Sequence, residues 1–380
     1  MKIGINGGGI GGLATAIALR QAGHEVEVYE QASDYKRVGA DINLTPNAVA
    51  ALKSLGVYED LQETAARPTH RISRTWDTGE ETSRLEMAKA AEEKYGAPQL
   101  TIHRADLLQA LRRQLPEDVI KLGYRIEAIN LKGDKPSVRF ANGETRTVDA
   151  LVGADGIHSP TRTAMFGPEH PQFTGLVSYR AVVDRSKLSV PNLDAFTKWW
   201  GPTPDLQIVT FPLNRGRETF IFATTAQDDW RHESWTMEGD VEELRRAYAG
   251  FHPEARALLD ACDSVTKSAL YVREPLPRWS VGRATLLGDA CHPMVPFMAQ
   301  GACMAIEDAV VLGRALRSVD DDGAADALER YEHARKERTA KVQIGSRGNE
   351  WLKQGGNADW VYGYSASEAP FEAARSGSIG

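Results

Sequence analysis

Little in this chain points to secretion, to a membrane or to nucleic acid. Cysteine is scarce: three in 380 residues, an odd number and no disulfide framework, so a reducing cytoplasm is the expected compartment. No run of about eighteen or more apolar residues occurs, so no membrane span is expected. The opening MKIGINGGGIGGLATAIALRQAG begins like a signal peptide, but five glycines among residues 7–12 spoil the apolar helix a signal needs. Lys and Arg form no block and the net charge is −7, which argues against a nucleic-acid partner. Internal repeats and low-complexity linkers are also missing. The length exceeds one simple core and suffices for about two domains.

What is present begins at once. Residues 3–30 read as strand, glycine turn, helix and strand. Gly7, Gly9 and Gly12 satisfy G-x-G-x-x-G, with Ile10 and Gly11 between them. Gly7 permits a tight turn, Gly9 lets a pyrophosphate approach the backbone, and Gly12 lets the helix pack closely on the strand. The helix N-terminus offers its N–H groups to phosphates. EVEVYE ends in Glu30, followed by Gln31, at the distance where an acid accepts hydrogen bonds from a ribose. The motif predicts dinucleotide binding without choosing between NAD and FAD. Asn6 stands where an apolar residue is usual and is expected to hydrogen-bond within the turn.

Two later segments repeat one design. In DALVGADGIHSPTR an apolar strand feeds Asp155-Gly156, and in RATLLGDACHP another feeds Gly288-Asp289. An Asp at the carboxyl end of a strand accepts hydrogen bonds from cofactor hydroxyls or orders the backbone around it. Taken in order, the three motifs resemble those of the FAD-dependent aromatic hydroxylases, single-component flavoprotein monooxygenases with the p-hydroxybenzoate hydroxylase fold. HRADLLQAL resembles that family's arginine segment, and the likeness covers nearly the whole chain.

The resemblance implies a fold, a cofactor and a set of roles. The fold is α/β: a Rossmann-like FAD-binding domain, an antiparallel-sheet substrate domain and a C-terminal helix. The expected FAD-binding domain takes residues 1–72, 98–174 and 272–345, the substrate domain 73–97 and 175–271, and a C-terminal segment 346–380. Gly7, Gly9 and Gly12 would hold the pyrophosphate and Glu30 the ribose; Arg104, Asp155 and Gly156 would lie along FAD. Asp289 would bind the ribityl chain, with Pro296, Gly301 and Ala302 against the flavin ring. The helix from Ala302 would turn its dipole toward reduced flavin. The implied reaction uses NADH or NADPH to reduce FAD, which then traps O2 as a C4a-hydroperoxide and hydroxylates a small aromatic substrate.

The sequence DACHPMVPFMAQGAC poses its own question. Cys291 and His292 are adjacent, with no partner at metal-ligand spacing, so no metal site is expected. A hydroxylase of this kind needs no protein nucleophile. Cys303 is expected in the core and Cys291-His292 in a turn, with His292 kept as a candidate proton relay.

Within the family the likeness runs toward the enzymes of 6-hydroxynicotinate, then of salicylate and 3-hydroxybenzoate, carried by TKWW, DACHPMVPFMAQGACMAIEDA and DWVYGY. The pocket departs from the first of these. Asn43 and Phe297 stand where that enzyme has histidines, another pocket histidine falls near Asp205, a tyrosine near Val209, and Asp41 replaces a glycine. The expected substrate is therefore broader: a hydroxylated benzene or pyridine ring, such as a hydroxybenzoate or hydroxynicotinate, hydroxylated with or without decarboxylation. Tyr179 and Asn43 are the polar candidates, Arg180 a candidate partner for a carboxylate, and Val209, Phe211, Phe297 and Met298 candidate walls. Of Trp199 and Trp200, adjacent on a strand, one is expected in the core and one toward a pocket. A flavin halogenase would carry W-x-W-x-I-P, which is missing. A flavin oxidase and a non-catalytic FAD-binding redox sensor remain as alternatives. The tail from Ser365 is expected to be loosely ordered.

Overall fold

The computed structural model describes residues 1–35, 41–232, 237–348 and 357–371. It is a mixed α/β structure built around two large sheets. In the first, strand Lys2–Asn6 lies between Glu25–Glu30 and Ala150–Gly153, and Ala150–Gly153 pairs with Ala284–Leu286, all in parallel. Of these, Lys2–Asn6, Ala150–Gly153 and Ala284–Leu286 are short and mostly apolar, as expected where helices cover both faces. Helix Ile10–Gln21 packs on helix Gly301–Leu316, and both are buried over most of their length.

The second sheet has eight strands. Gln172–Asp184, Glu218–Ala226, Gln207–Leu213 and Phe196–Trp200 pair antiparallel in that spatial order. His70–Thr75 then joins Phe196–Trp200 in parallel, and Glu81–Glu86 forms the edge. Helices Val241–Ala247 and Pro253–Asp260 cover one face, and their Leu244, Leu258 and Leu259 pack on Val177, Trp199, Ile208 and Ile221. The other face turns toward the first sheet. It carries Phe196, Phe211, Phe220, Phe222 and Leu270 against Val295 and Phe297. Alternation along each strand sorts the side chains between these faces, so Trp199 belongs to the helix-covered core while Trp200 lies under Lys198.

The long C-terminal helix runs Ala324–Arg347, and residues 349–354, read from the sequence as its continuation, lie outside the described residues. The start of the tail is more firmly held than expected. Ala366 is buried, and its carbonyl accepts a hydrogen bond from Arg314 (2.8 Å). No helix among the described residues is long and apolar enough to cross a membrane.

Candidate active site

The glycine turn is built by contact distances. Gly7 has φ +106°, and a Cβ there would stand 2.3 Å from the Ala154 carbonyl oxygen. A Cβ on Gly12 would meet the Gly7 carbonyl oxygen at 1.9 Å, so Gly12 closes the helix onto the turn itself rather than onto the strand. Gly9 differs: its Cβ would find no atom within 4 Å. The opening lies at the start of helix Ile10–Gln21, whose first turn has no side-chain cap and no acidic residue. An anionic group fits there, held by the free N–H ends and the helix dipole. Glu30 braces the turn from the next strand, accepting from Gly8 N–H and Ala32 N–H, each at 2.8 Å.

Asn6 bonds outside the turn, contrary to expectation. Its Nδ2 donates to Thr161 Oγ1 (2.9 Å), and Thr161 Oγ1 donates to Asp155 Oδ2 (2.6 Å). The residue thus ties the glycine turn to the mid-chain Asp-Gly turn, 149 positions on. Burial raises the Asp155 carboxyl above its ordinary range, and hydrogen bonds from Ser159 and Thr161 offset part of this.

A continuous cavity of about 630 Å³ runs from this turn onto the apolar face of the second sheet. Gly7, Gly9, Ile10, Gly11, Glu30, Gln31, Arg104, Asp155, Gly156, Asp289, Pro296, Gly301 and Ala302 line it; Gly12 lies beneath. Segments up to about 290 positions apart in sequence thus converge on one elongated groove. Glycine cradle, uncapped helix end and convergent Asp and Arg fit an FAD. Ala299 closes the turn before helix Gly301–Leu316 with φ +55°, a conformation that costs a non-glycine residue free energy and concentrates at functional loops.

Of the expected pocket residues, Asn43, Val209, Phe211 and Phe297 line the cavity. Tyr179 does not. It points into the helix-covered core, where its hydroxyl accepts from Gln227 Nε2 (2.9 Å), and a one-residue step along the strand puts Arg180 in the cavity instead. Met298 lies in the core rather than in the wall. His292 is also turned away. It is 2% exposed and lies 2.6 Å from Asp308 Oδ2, whose other oxygen accepts from Arg335 Nε (2.8 Å). Glu307 completes the cluster between Arg335 and Arg338. Cys303 is buried in the core beside Thr45, and Cys291 is buried as well.

The cavity also contains residues that drew no attention in the sequence. Lys198 and Arg71 are buried in its wall, Lys198 with its ammonium 3.7 Å from the Trp200 ring centre and Arg71 over Phe196 at 4.7 Å. The register sets Lys198, Val209, Phe222 and Arg180 side by side on four successive strands. At about 4.8 Å per strand, the two cations flank the apolar centre with backbones about 14 Å apart. Asp41, half-buried, faces Arg180 and Arg104; burial pushes its carboxyl up to about 7 against the pull of those two guanidinium groups.

Fold, cradle and aromatic cavity define a flavoprotein monooxygenase acting on aromatic rings. The chain belongs to the FAD binding domain family, whose model matches residues 1–345. It is 38% identical over 372 residues to 6-hydroxynicotinate 3-monooxygenase of Pseudomonas fluorescens, covering 97% of this chain and 96% of the relative. It is 36% identical to 3-hydroxybenzoate 6-hydroxylase of Klebsiella oxytoca, covering 91% and 87%. In structure it is similar to Klebsiella pneumoniae HpxO complexed with FAD and uric acid, with a TM-score of 0.82, 28% identity, and coverage of 95% and 90%.

Proposed function

We propose that this protein hydroxylates the ring of a hydroxylated aromatic or N-heteroaromatic carboxylate, such as a hydroxybenzoate or hydroxynicotinate, using O2 and NADH or NADPH. The observation that carries this reading is the cavity itself: an FAD cradle that opens onto an aromatic surface flanked by Arg71, Lys198 and Arg180. When bound, flavin would supply the redox chemistry, with the nicotinamide as hydride donor and O2 as the source of the ring oxygen. The protein supplies position and environment. Gly9 and the uncapped helix end seat the pyrophosphate, and Arg104, Asp155 and Asp289 follow the groove toward the ring end. Phe211, Phe220, Phe222 and Phe297 form the apolar walls that exclude water from the reacting ring. Arg180 holds the carboxylate, where a charge-assisted bond gains strength away from solvent. Asp41 is the group that exchanges a proton near neutrality, and loss of the ring hydroxyl proton raises the nucleophilicity of the ring. Three buried free thiols favour a reducing cytoplasm.

The test is oxidation of NADH and NADPH by the FAD-loaded protein against a panel of hydroxylated benzoates, pyridines and nicotinates, with peroxide and products measured. The expected result is stimulated oxidation with a hydroxylated product and little peroxide. Nicotinamide-independent O2 uptake would point to an oxidase, and flavin binding with no ligand-stimulated turnover would point to a sensor.

A further inference from the structure

Gln207 holds hydrogen-bonding capacity that no described residue uses. Its side chain is 1% exposed and lines the cavity. Neither Oε1 nor Nε2 has a hydrogen-bond partner among the described residues. Buried carboxamides are rarely left this way, because desolvation without a partner costs folding free energy. The placement is also firm. From the opposite face, the Tyr248 hydroxyl donates to the Gln207 carbonyl (2.8 Å) and accepts from the N–H groups of Gln207 (3.2 Å) and Thr224 (3.1 Å). The strand end beneath the carboxamide is fixed, and the polar group it presents is preorganised.

The chemistry of a carboxamide narrows the ligand. It shows one donor and one acceptor side by side. Its complement is an acceptor and a donor that are also side by side, as on the lactam edge of a pyridone, where ring N–H adjoins C=O. Exchanging the amide O and N leaves this match intact, since the lactam reads equally from the turned face. A phenol offers a single polar atom, and the neighbouring ring C–H leaves half of the carboxamide unmet.

The sheet geometry supports such a ring. Gln207 pairs with Thr224, and Val209, two residues on, shares its row with Phe222 and Arg180. Two strands across and one side-chain repeat along places the backbones of Gln207 and Arg180 about 12 Å apart. After both side chains reach inward, the gap suits one ring with its lactam edge opposite its carboxylate. Phe222 and Val209 form the floor between them.

We propose that Gln207 is a specificity-determining residue that reads the lactam edge of an N-heteroaromatic hydroxy acid, making the pyridone rather than the phenol the preferred ring. This rests on the reading that the cavity takes a ring carboxylate. The probes are 6-hydroxynicotinate, which offers the lactam edge, and 4-hydroxybenzoate, which keeps the carboxylate and para oxygen but carries C–H in place of the ring nitrogen. Dissociation constants are measured on the FAD-loaded protein from the change in flavin absorbance on binding. The wild type is expected to favour 6-hydroxynicotinate by about tenfold or more, since a site built to hydrogen-bond penalises the analogue lacking the group. Gln207→Leu is expected to bring the ratio of the two constants close to one. Gln207→Met, close in length and lacking both the amide donor and acceptor, is expected to lower the preference as well and serves if the leucine variant does not retain FAD. Equal affinities in the wild type, or an unchanged ratio in both variants, would overturn the inference while leaving the ring-acid reading in place. If neither acid perturbs the flavin of the wild type, the ring-acid reading fails and this inference fails with it.

Discussion

His292 Nε2 stands 2.6 Å from Asp308 Oδ2, with both side chains sealed from solvent, behind the turn that carries Asp289. Burial alone would raise the Asp308 carboxyl; His292 and Arg335 more than offset it and hold the group below its usual range. Asp308 Oδ2 also accepts from the backbone N–H of Gly288 (3.2 Å), so the cluster fixes the loop next to the cofactor groove. The imidazole braces that loop and does not line the cavity.

Removing Asp308 strips His292 of its partner and leaves Arg335 with Glu307 alone, deep in the core. Asp308→Ala is expected to destabilise the protein by roughly 3–5 kcal/mol, the range for breaking a buried ion pair. His292→Ala should cost less, because Arg335 still holds Asp308. Thermal unfolding of the two variants checks the order. A fully stable Asp308→Ala protein with altered turnover would instead place the pair in the chemistry.

The glycine turn yields a contrast between neighbours. Gly9→Ala should fold normally, since its Cβ meets nothing and its φ is −75°, but should lose FAD affinity by about tenfold or more because the methyl occupies the pyrophosphate approach. Gly12→Ala should be unstable even without FAD, with its Cβ 1.9 Å from a backbone oxygen. Melting of the apoproteins together with FAD titration separates the two effects.

Adjacent residues on one strand should also behave differently. Tyr179→Phe keeps the far-face core and is expected to leave turnover within about twofold of wild type. Arg180→Met removes a cavity cation and should raise KM for a ring carboxylate by about ten- to a hundredfold, equivalent to the loss of one charge-assisted bond. Steady-state kinetics on both variants with the same acid gives the answer.

Much of this was legible beforehand, for reasons that are themselves physical. The glycine turn, Glu30 and the two strand-to-Asp turns are local, each set by a few neighbouring residues, so their spacing alone announces them. The substrate face is assembled from distant strands whose order no local pattern encodes. Even there, alternation carried more than was drawn from it. Gln207 has the same parity as Val209 and Phe211, so accepting those two as cavity wall implies Gln207 as well. Tyr179 was misplaced because an isolated strand does not show which of its faces looks toward the cofactor. Asn6 could not be explained locally, because its partner Thr161 arrives from a different strand connection.

Asp41 gives the cavity a pH dependence with a definite sign. Its carboxyl is raised to about 7, so it is mostly neutral below that pH and anionic above it. The anion competes for Arg180 and repels an incoming carboxylate. Binding of a ring acid should therefore weaken several-fold between about pH 6 and pH 8, with half the change near 7. Asp41→Asn should flatten the profile at the tighter level. Titrations of flavin absorbance across that range check both statements, and a wild-type profile that is flat, or that rises with pH, removes Asp41 from this role.

The central claim is that oxygen from O2 enters the ring of an acid held in this cavity. The most direct measurement is turnover of a ring acid under 18O2 with NADH or NADPH, followed by mass spectrometry of the product. The account predicts one 18O atom per hydroxylated ring and a matching consumption of one nicotinamide. A product labelled only from water, or oxidation of the donor that ends wholly in peroxide with every ring acid, would contradict it.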